Sequence, residues 1–261
     1  MKNFEKQIEL SQHLIDGKIN IPSNCTSLKI DIGLAGDAPN SALWLLDNPN
    51  VFVIGIEPLE DHHLHLYELG SADNNVGMLH PNWPIVQIKN NCVSLHRKNL
   101  LNIEDRFILL KTAISDVETP GEQKFYLNKR GETGSSSLKK SQAMKRPHLI
   151  DKVINVNICS LEYLYGFLPM ERFEFIEQIK TDNEGSDFET IKSMGYNIRN
   201  VIFVNSEIVH LTFEEKSAFI KHMIDHGFKL DNITKAEIFF RNKRYSKTIA
   251  DKNLRSIQTG I

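Results

Sequence analysis

The stretch SLKIDIGLAGDAPNSALWLLDNPNVFVIGIEP, residues 27–58, sets two apolar runs on either side of a glycine-containing turn and a helix-like segment. SLKIDIG, residues 27–33, is short and apolar and ends in an acid and a glycine, which reads as a buried strand entering a turn. Ala38 to Leu46 reads as a helix. Pro39 suits its first turn, where the N–H that proline lacks would have no partner. NVFVIGIEP, residues 50–58, is a second strand stopped by Pro58. Strand, turn, helix and strand make a β-α-β unit, whose crossover is expected to be right-handed.

Outward from this unit the alternation continues. RFILLKTAISD, residues 106–116, predicts a third buried strand ending near Thr112, and KFYLN, residues 124–128, a further strand. VINVNICSLEYL reads as strand and then helix. EFIEQIKTDNEG gives a fourth sheet strand ending at Asp182, and SDFETIKSMG a helix closed by Gly195. A fifth strand follows at Val201 to Asn205, a helix at Glu214 to His226, and closing strands near Phe228 to Leu230 and Ala236 to Phe240. The expected fold is α/β, a doubly wound and mainly parallel sheet of seven strands with an antiparallel C-terminal strand.

At the N-terminus, Phe4, Ile8, Leu10, Leu14 and Ile15 recur at roughly helical spacing, with Gly17 as the stop. Residues 1–26 are therefore expected to form a helical cover on the domain, with a dimer contact as the less favoured use. The domain itself spans 27–245, with insertions near 70–105 and 129–150. The second insertion, KRGETGSSSLKKSQAMKRP, is rich in Gly, Ser and Lys and reads as a lid. A basic tail fills 246–261.

Composition narrows the function classes. The 261 residues are 41% hydrophobic and 25% charged, an ordinary globular balance, and a net charge of −2 offers no general field for a polyanion. Nucleic acid is thus disfavoured as a partner, and a small molecule or glycan is preferred. Cys25, Cys92 and Cys159 are odd in number and widely spaced, as in a reducing compartment. With no apolar stretch of membrane-spanning length, this places the chain in the cytoplasm.

In a doubly wound sheet ligands bind beyond the carboxyl ends of the strands, so Asp31, Glu57, Thr112 and Asp182 carry functional weight. Gly33 and Gly36 let the turn approach a cofactor closely. Glu57 suits a ribose diol, since a carboxylate accepts two hydrogen bonds. NAD sites share that acid, but their turn faces a pyrophosphate. Asp31 and Asp37 would repel one and suit the cationic sulfonium and amino groups of S-adenosylmethionine. A purely structural reading remains open: Gly33 and Gly36 also make a tight β-α turn.

IKTDNEGSDFETIKSMG, residues 179–195, resembles the FkbM family of methyltransferases, most closely at Lys180, Asp182, Glu184, Gly185 and Asp187. KIDIGLAGD, VIGIEP, TAISD, GSSSL and VNSEI agree in order, so the resemblance covers roughly residues 27–240. The chain departs from the family pattern at Leu34, Ala35 and Asn183 and in the length of 70–105. The resemblance implies a Rossmann-like class I O-methyltransferase that binds S-adenosylmethionine through Asp31, Gly33, Gly36, Asp37, Glu57, Pro58, Thr112, Ala113 and Asp182. Its acceptor would be a hydroxyl of a sugar, glycan or glycosylated small molecule, held by Ser135, Ser136, Lys139 and Glu207.

A sugar hydroxyl is a weak nucleophile and gains from a base, for which Asp182, Glu184 and His148 are the candidates, Asp182 first. Asp182 and Glu184 have a second reading, as hydrogen-bond partners of the cofactor or caps of the helix near Asp187. Mg²⁺ held by Asp182, Glu184 and Glu207 is possible but not favoured. His62, His63 and His65 read as a solvated helix face, and His222 and His226 as surface residues, since no third zinc ligand accompanies them. Lys139, Lys140, Lys145 and Arg146 read as a solvated loop. Arg241, Lys243, Arg244 and Lys247 keep an RNA ribose methyltransferase as an alternative, and a non-catalytic S-adenosylmethionine or nucleotide module is another.

Overall fold

The computed structural model describes residues 4–36, 38–64, 66, 104–129, 135–140 and 147–245. The chain enters through a short helix α1 (Phe4–Gln7), and Glu9 then takes a left-handed backbone (φ 63°) that ends it. A 3₁₀ turn at Ser11–His13 leads to a hairpin of β1 (Leu14–Ile15) and β2 (Lys18–Ile19). This corrects the helix expected over residues 3–15. Asp16 (φ 50°) and Gly17 (φ 78°) both sit in the left-handed region, so Asp-Gly makes a two-residue hairpin turn here rather than a helix stop. The segment does pack on the domain: Tyr163 Oη donates to Glu5 (2.7 Å), and Ile8 and Leu10 are fully buried.

The expected β-α-β unit forms as β3 (Ser27–Ile32), α2 (Pro39–Asp47) and β4 (Val51–Ile56). Its strands pair in parallel from Ser27↔Val51 to Ile32↔Ile56. All six residues of β4 are buried, as befits a central strand covered on both faces. Helix α3 (Glu60–Leu64) begins the segment read as a helix over 61–69; of its remainder only Leu66 is described, and residues 70–103 lie outside the described residues. β5 (Phe107–Leu110) then joins β4, ending two residues before Thr112.

From there the chain turns into a separate three-stranded sheet that the linear reading did not distinguish. It contains β6 (Ala113–Ile114), β7 (Gly121–Asn128) and β8 (Ile150–Cys159) in the order β6-β8-β7. Helix α4 (Leu161–Tyr165) returns to the main sheet, which continues with β9 (Ile176–Thr181), α5 (Asp187–Lys192) and β10 (Val201–Glu207). α5 stops at Lys192, and Gly195 opens a 3₁₀ turn instead of closing the helix. α6 (Phe213–Asp225) starts with a reciprocal capping box between Thr212 and Glu215, before β11 (Phe228–Ile233) and β12 (Glu237–Asn242).

The main sheet has seven strands in the order β11-β12-β10-β9-β3-β4-β5, parallel except for β12. This is a doubly wound, mainly parallel α/β sheet with an antiparallel final strand, as expected. Strand order reverses between β3 and β9, which opens a crevice beyond their carboxyl ends. Among the described residues no helix is long and apolar enough to cross a membrane. Cys25 and Cys159 are buried free thiols; Cys92 lies outside the described residues.

Candidate functional site

A cleft occupies this crevice, the place where ligands bind in an open α/β sheet. Its floor is the ends of three adjacent strands: Ile32 and Gly33 after β3, Ile56 and Glu57 after β4, Asp182 and Asn183 after β9. The roof is apolar and comes from the second sheet and the loop beside it, through Ala113, Ile114, Phe125 and Leu138. No local periodicity singled out Phe125 or Leu138. They reach the cleft only because the second sheet folds over the first.

Gly33 makes the crevice possible. Its φ is 72°, and a β-carbon there would lie 2.1 Å from the carbonyl oxygen of Asp182. Gly33 N–H donates to Ile56 O (2.9 Å) and Asp182 N–H to Ile32 O (3.0 Å), which stitches the three strand ends together.

Glu57 is 4% exposed yet supplied with three donors. Its Oε2 accepts from Ala35 N–H (3.1 Å), Oε1 accepts from Leu59 N–H (3.0 Å), and His62 Nδ1 lies 3.2 Å from Oε1. Burial alone would raise its pKa, but His62 and the Leu59 N–H outweigh it and bring the carboxyl below its ordinary value. The turn and the acid are thus one unit, since a turn N–H is a ligand of Glu57. His62 and His63 correct the expectation of a solvated helix face: both are buried, His62 lines the cleft, and His63 Nε2 contacts Glu57 O at 2.7 Å. His65 lies outside the described residues.

Asp31 is not brought to the cleft. It is wholly buried, and its Oδ2 accepts from Ser41 N–H (3.0 Å) and Ser41 Oγ–H (2.6 Å) in the first turn of α2. The acid before the turn therefore ties the end of β3 to the start of the helix. Burial raises its pKa against the pull of Lys180, its neighbour on β9. Gly36 is buried without lining the cleft, and Asp37 lies outside the described residues. Pro58, Thr112 and Ala113 all line it. Thr112 is fully buried, with Oγ1 3.1 Å from Asn157 O.

Asp182 lines the cleft with a side chain 41% exposed, and its Oδ2 accepts from Lys180 Nζ at 2.9 Å. Beyond it the chain makes a tight turn in which Glu184 has φ 50°. Buried Asp187 holds this turn by accepting from Asn183 N–H (3.1 Å) and Gly185 N–H (3.3 Å). Glu184 Oε2 lies 2.7 Å from His210 Nε2, which is 4.0 Å from Glu207 Oε2. Glu207 is pushed up to about 8, first by burial and then by Asp182, Glu184 and Asp187, with Lys180 opposing. His210 escaped the sequence reading. Its only signal is a spacing of three from Glu207 just past a strand end.

His148 is exposed in a 3₁₀ turn (Pro147–Leu149) and is not among the cleft residues, so the structure does not bring it to the site. Ser136 lines the cleft; its Oγ accepts from Asn128 N–H (3.0 Å), and Asn128 Nδ2 donates to Ser135 O (2.9 Å). Ser137 Oγ donates to Glu184 O (2.9 Å), which joins the loop to the acidic turn. Lys139 is held by Glu189 (2.9 Å) and Glu215 (3.2 Å) rather than reaching the cleft. His222 and His226 are half-buried, their rings 4.3 Å apart, instead of lying on the surface. Arg199, Lys243 and Arg244 line a groove at the opposite end of the sheet, where β10 starts and β12 ends.

No family model matches the chain, and no curated protein matches it. Among solved structures it is similar to precorrin-6y C5,15-methyltransferase from Geobacter metallireducens GS-15, at 12% identity and a TM-score of 0.36 over 83% of this chain and 80% of that one. It is also similar to Aeropyrum pernix fibrillarin in complex with natively bound S-adenosyl-L-methionine, at 13% identity and a TM-score of 0.34 over 89% and 74%. Likenesses this distant do not bear on the chemistry, which is argued from the chain's own residues.

Proposed function

We propose that the protein is an S-adenosylmethionine-dependent O-methyltransferase acting on a hydroxyl of a sugar, glycan or glycosylated small molecule. The observation that carries this reading is the buried Glu57 carboxylate, hydrogen-bonded to the turn and placed beside Gly33 and Asp182 at the switch point. The residues fit the cofactor on two counts. A carboxylate has about four lone-pair sites, and Ala35 N–H, Leu59 N–H and His62 take three on Glu57, which leaves one for a ribose hydroxyl. The absent β-carbon of Gly33 lets the Asp182 carbonyl close against the end of β3, which brings Asp182 and Glu57 to one cleft. A pyrophosphate would meet Glu57 and Asp182 instead of free helix N–H groups, which disfavours a dinucleotide.

When bound, the cofactor supplies a methyl group on a positively charged sulfur. Glu57, with His62 behind it, would hold the ribose, and Phe125, Ile114 and Leu138 would give the base an apolar slot. Asp182 would lie on the methyl side and take the proton of the acceptor hydroxyl, oriented by Lys180. Holding the acceptor oxygen in line is the main demand of such a transfer.

The preference for a neutral acceptor over RNA rests on charge. Asp182 lines the cleft and, with Glu184, couples by charge to Glu207, Lys139 is neutralised by two carboxylates, and Arg199, Lys243 and Arg244 lie at the far end of the sheet. Calorimetry with S-adenosylmethionine, S-adenosylhomocysteine and NAD tests the cofactor: binding of the first two and not of NAD is expected, and failure of both to bind would sink the reading. Release of S-adenosylhomocysteine with a glycan panel, and not with RNA, is the expected acceptor result. Tight binding with no release on any acceptor would favour a non-catalytic module.

A further inference from the structure

We infer that Glu184, Glu207 and His210 form a binding site for a divalent transition-metal cation on the acceptor side of the cleft. The site uses one ring nitrogen and two carboxylate oxygens, which all lie within 4.8 Å of one another. Ligands about 2.0–2.2 Å from a metal stand roughly 3–4 Å apart at tetrahedral or octahedral angles. The distances of 2.7 Å from His210 Nε2 to Glu184 and 4.0 Å to Glu207 bracket that span.

The ligands come from the ends of two adjacent parallel strands. Glu207 is the last residue of β10, His210 follows three residues later, and Glu184 stands in the turn after β9. Two of the three are held by backbone contacts: Ile208 N–H, next to Glu207, donates to Ala236 O (2.7 Å), and Ser137 Oγ donates to Glu184 O (2.9 Å). A rigid support of this kind is what a metal site requires.

A second, independent observation concerns Glu207 Oε2. The atom is shielded from solvent and accepts no hydrogen bond from any described residue, although a carboxylate oxygen removed from water is costly without a donor or a cation. It faces His210 Nε2, the atom that also faces Glu184. A cation there would satisfy all three groups at once.

The donor set indicates the ion. Imidazole suits Zn²⁺, Fe²⁺ and Ni²⁺, and carboxylates suit Mn²⁺ and Mg²⁺, so one nitrogen with two oxygens favours a first-row transition metal over Mg²⁺. This differs from the Mg²⁺ set of Asp182, Glu184 and Glu207 suggested by the sequence, because His210 replaces Asp182, which is engaged with Lys180. The site deepens the methyltransferase reading and, for its role, rests on it: the cation would hold acceptor hydroxyls beside Asp182 and lower their pKa.

The test uses the full chain freed of metal by a chelator and titrated with Mn²⁺, with free Mn²⁺ followed by its paramagnetic resonance signal. Binding of one equivalent is expected, displaced by Zn²⁺ and retained in a hundredfold excess of Mg²⁺. His210→Ala and Glu207→Gln should each weaken it at least tenfold; Glu184→Gln serves if Glu207→Gln does not fold. No stoichiometric binding, equal binding in His210→Ala, or displacement by Mg²⁺ would overturn the inference. S-adenosylmethionine affinity measured on the same samples separates the two readings, since its absence defeats the methyltransferase assignment and leaves Mn²⁺ binding to be judged alone.

Discussion

Glu57 and Glu207 are the same residue type at the ends of two strands of one sheet, both largely removed from water, and the fold shifts them in opposite directions. Glu57 stands among donors, two backbone N–H groups and His62, and is held below its ordinary value. Glu207 stands among Asp182, Glu184 and Asp187 and is raised to about 8. Burial pushes both the same way, so partners decide the outcome. The β3–β4 side of the cleft is electrostatically complete before any ligand arrives. The β9–β10 side carries excess negative charge that a ligand can relieve.

The largest expected effect comes from breaking the seam between the two sides. Gly33→Ala puts a β-carbon against Asp182 O at a positive φ, and should cost about 3 kcal/mol or more and abolish S-adenosylmethionine binding, as read by thermal denaturation and calorimetry. Next is Glu57→Gln, which removes the charge that the ribose and two N–H groups require. S-adenosylmethionine affinity should fall about 100-fold, nearly 3 kcal/mol, as measured by calorimetry.

Glu207→Gln tests the opposite wall in metal-free protein. A carboxyl raised in the folded state costs stability as pH climbs from its unfolded value near 4.5 to about 8, and nothing further above that. The variant should match the wild type at pH 4 and exceed it by about 2 kcal/mol at pH 9 in urea unfolding, after discounting for its partial exposure. For Glu57 the sign reverses: its contribution is present above the ordinary carboxyl range and fades as pH falls through its lowered value. Ser41→Ala has the smallest effect, about 1 kcal/mol of stability with S-adenosylmethionine affinity unchanged, because Asp31 keeps the Ser41 N–H. A large loss of affinity would return Asp31 to the cofactor.

The cofactor side was legible because its elements are local in sequence. Asp31, the glycine turn, α2 and Glu57 lie within one β-α-β unit whose apolar runs and Pro39 mark strand and helix directly. Even there the reading gave Asp31 to the ligand, since nothing in the linear order shows that Ser41 reaches back to it. His62 reads as solvent-facing in the sequence because the adjacent His62 and His63 cannot both face one side of a helix. Its burial comes from packing beneath the cleft. The helical spacing of Phe4, Ile8 and Leu14 hides the N-terminal hairpin, in which Gly17 belongs to a two-residue turn with Asp16.

By itself the sequence determined the order of strands and helices, the position of the glycine turn and the acid one strand later. Apolar periodicity and glycine placement act over a few residues and need no partner. The tertiary structure alone decided which acids share a wall. Glu184 and Glu207 are separated by a helix and a strand and meet only because β9 and β10 pair in parallel. His210 joins them because the chain turns after β10 to let Ile208 bond Ala236. Charge interactions depend on distance in space, and that distance is set by strand pairing rather than by spacing along the chain.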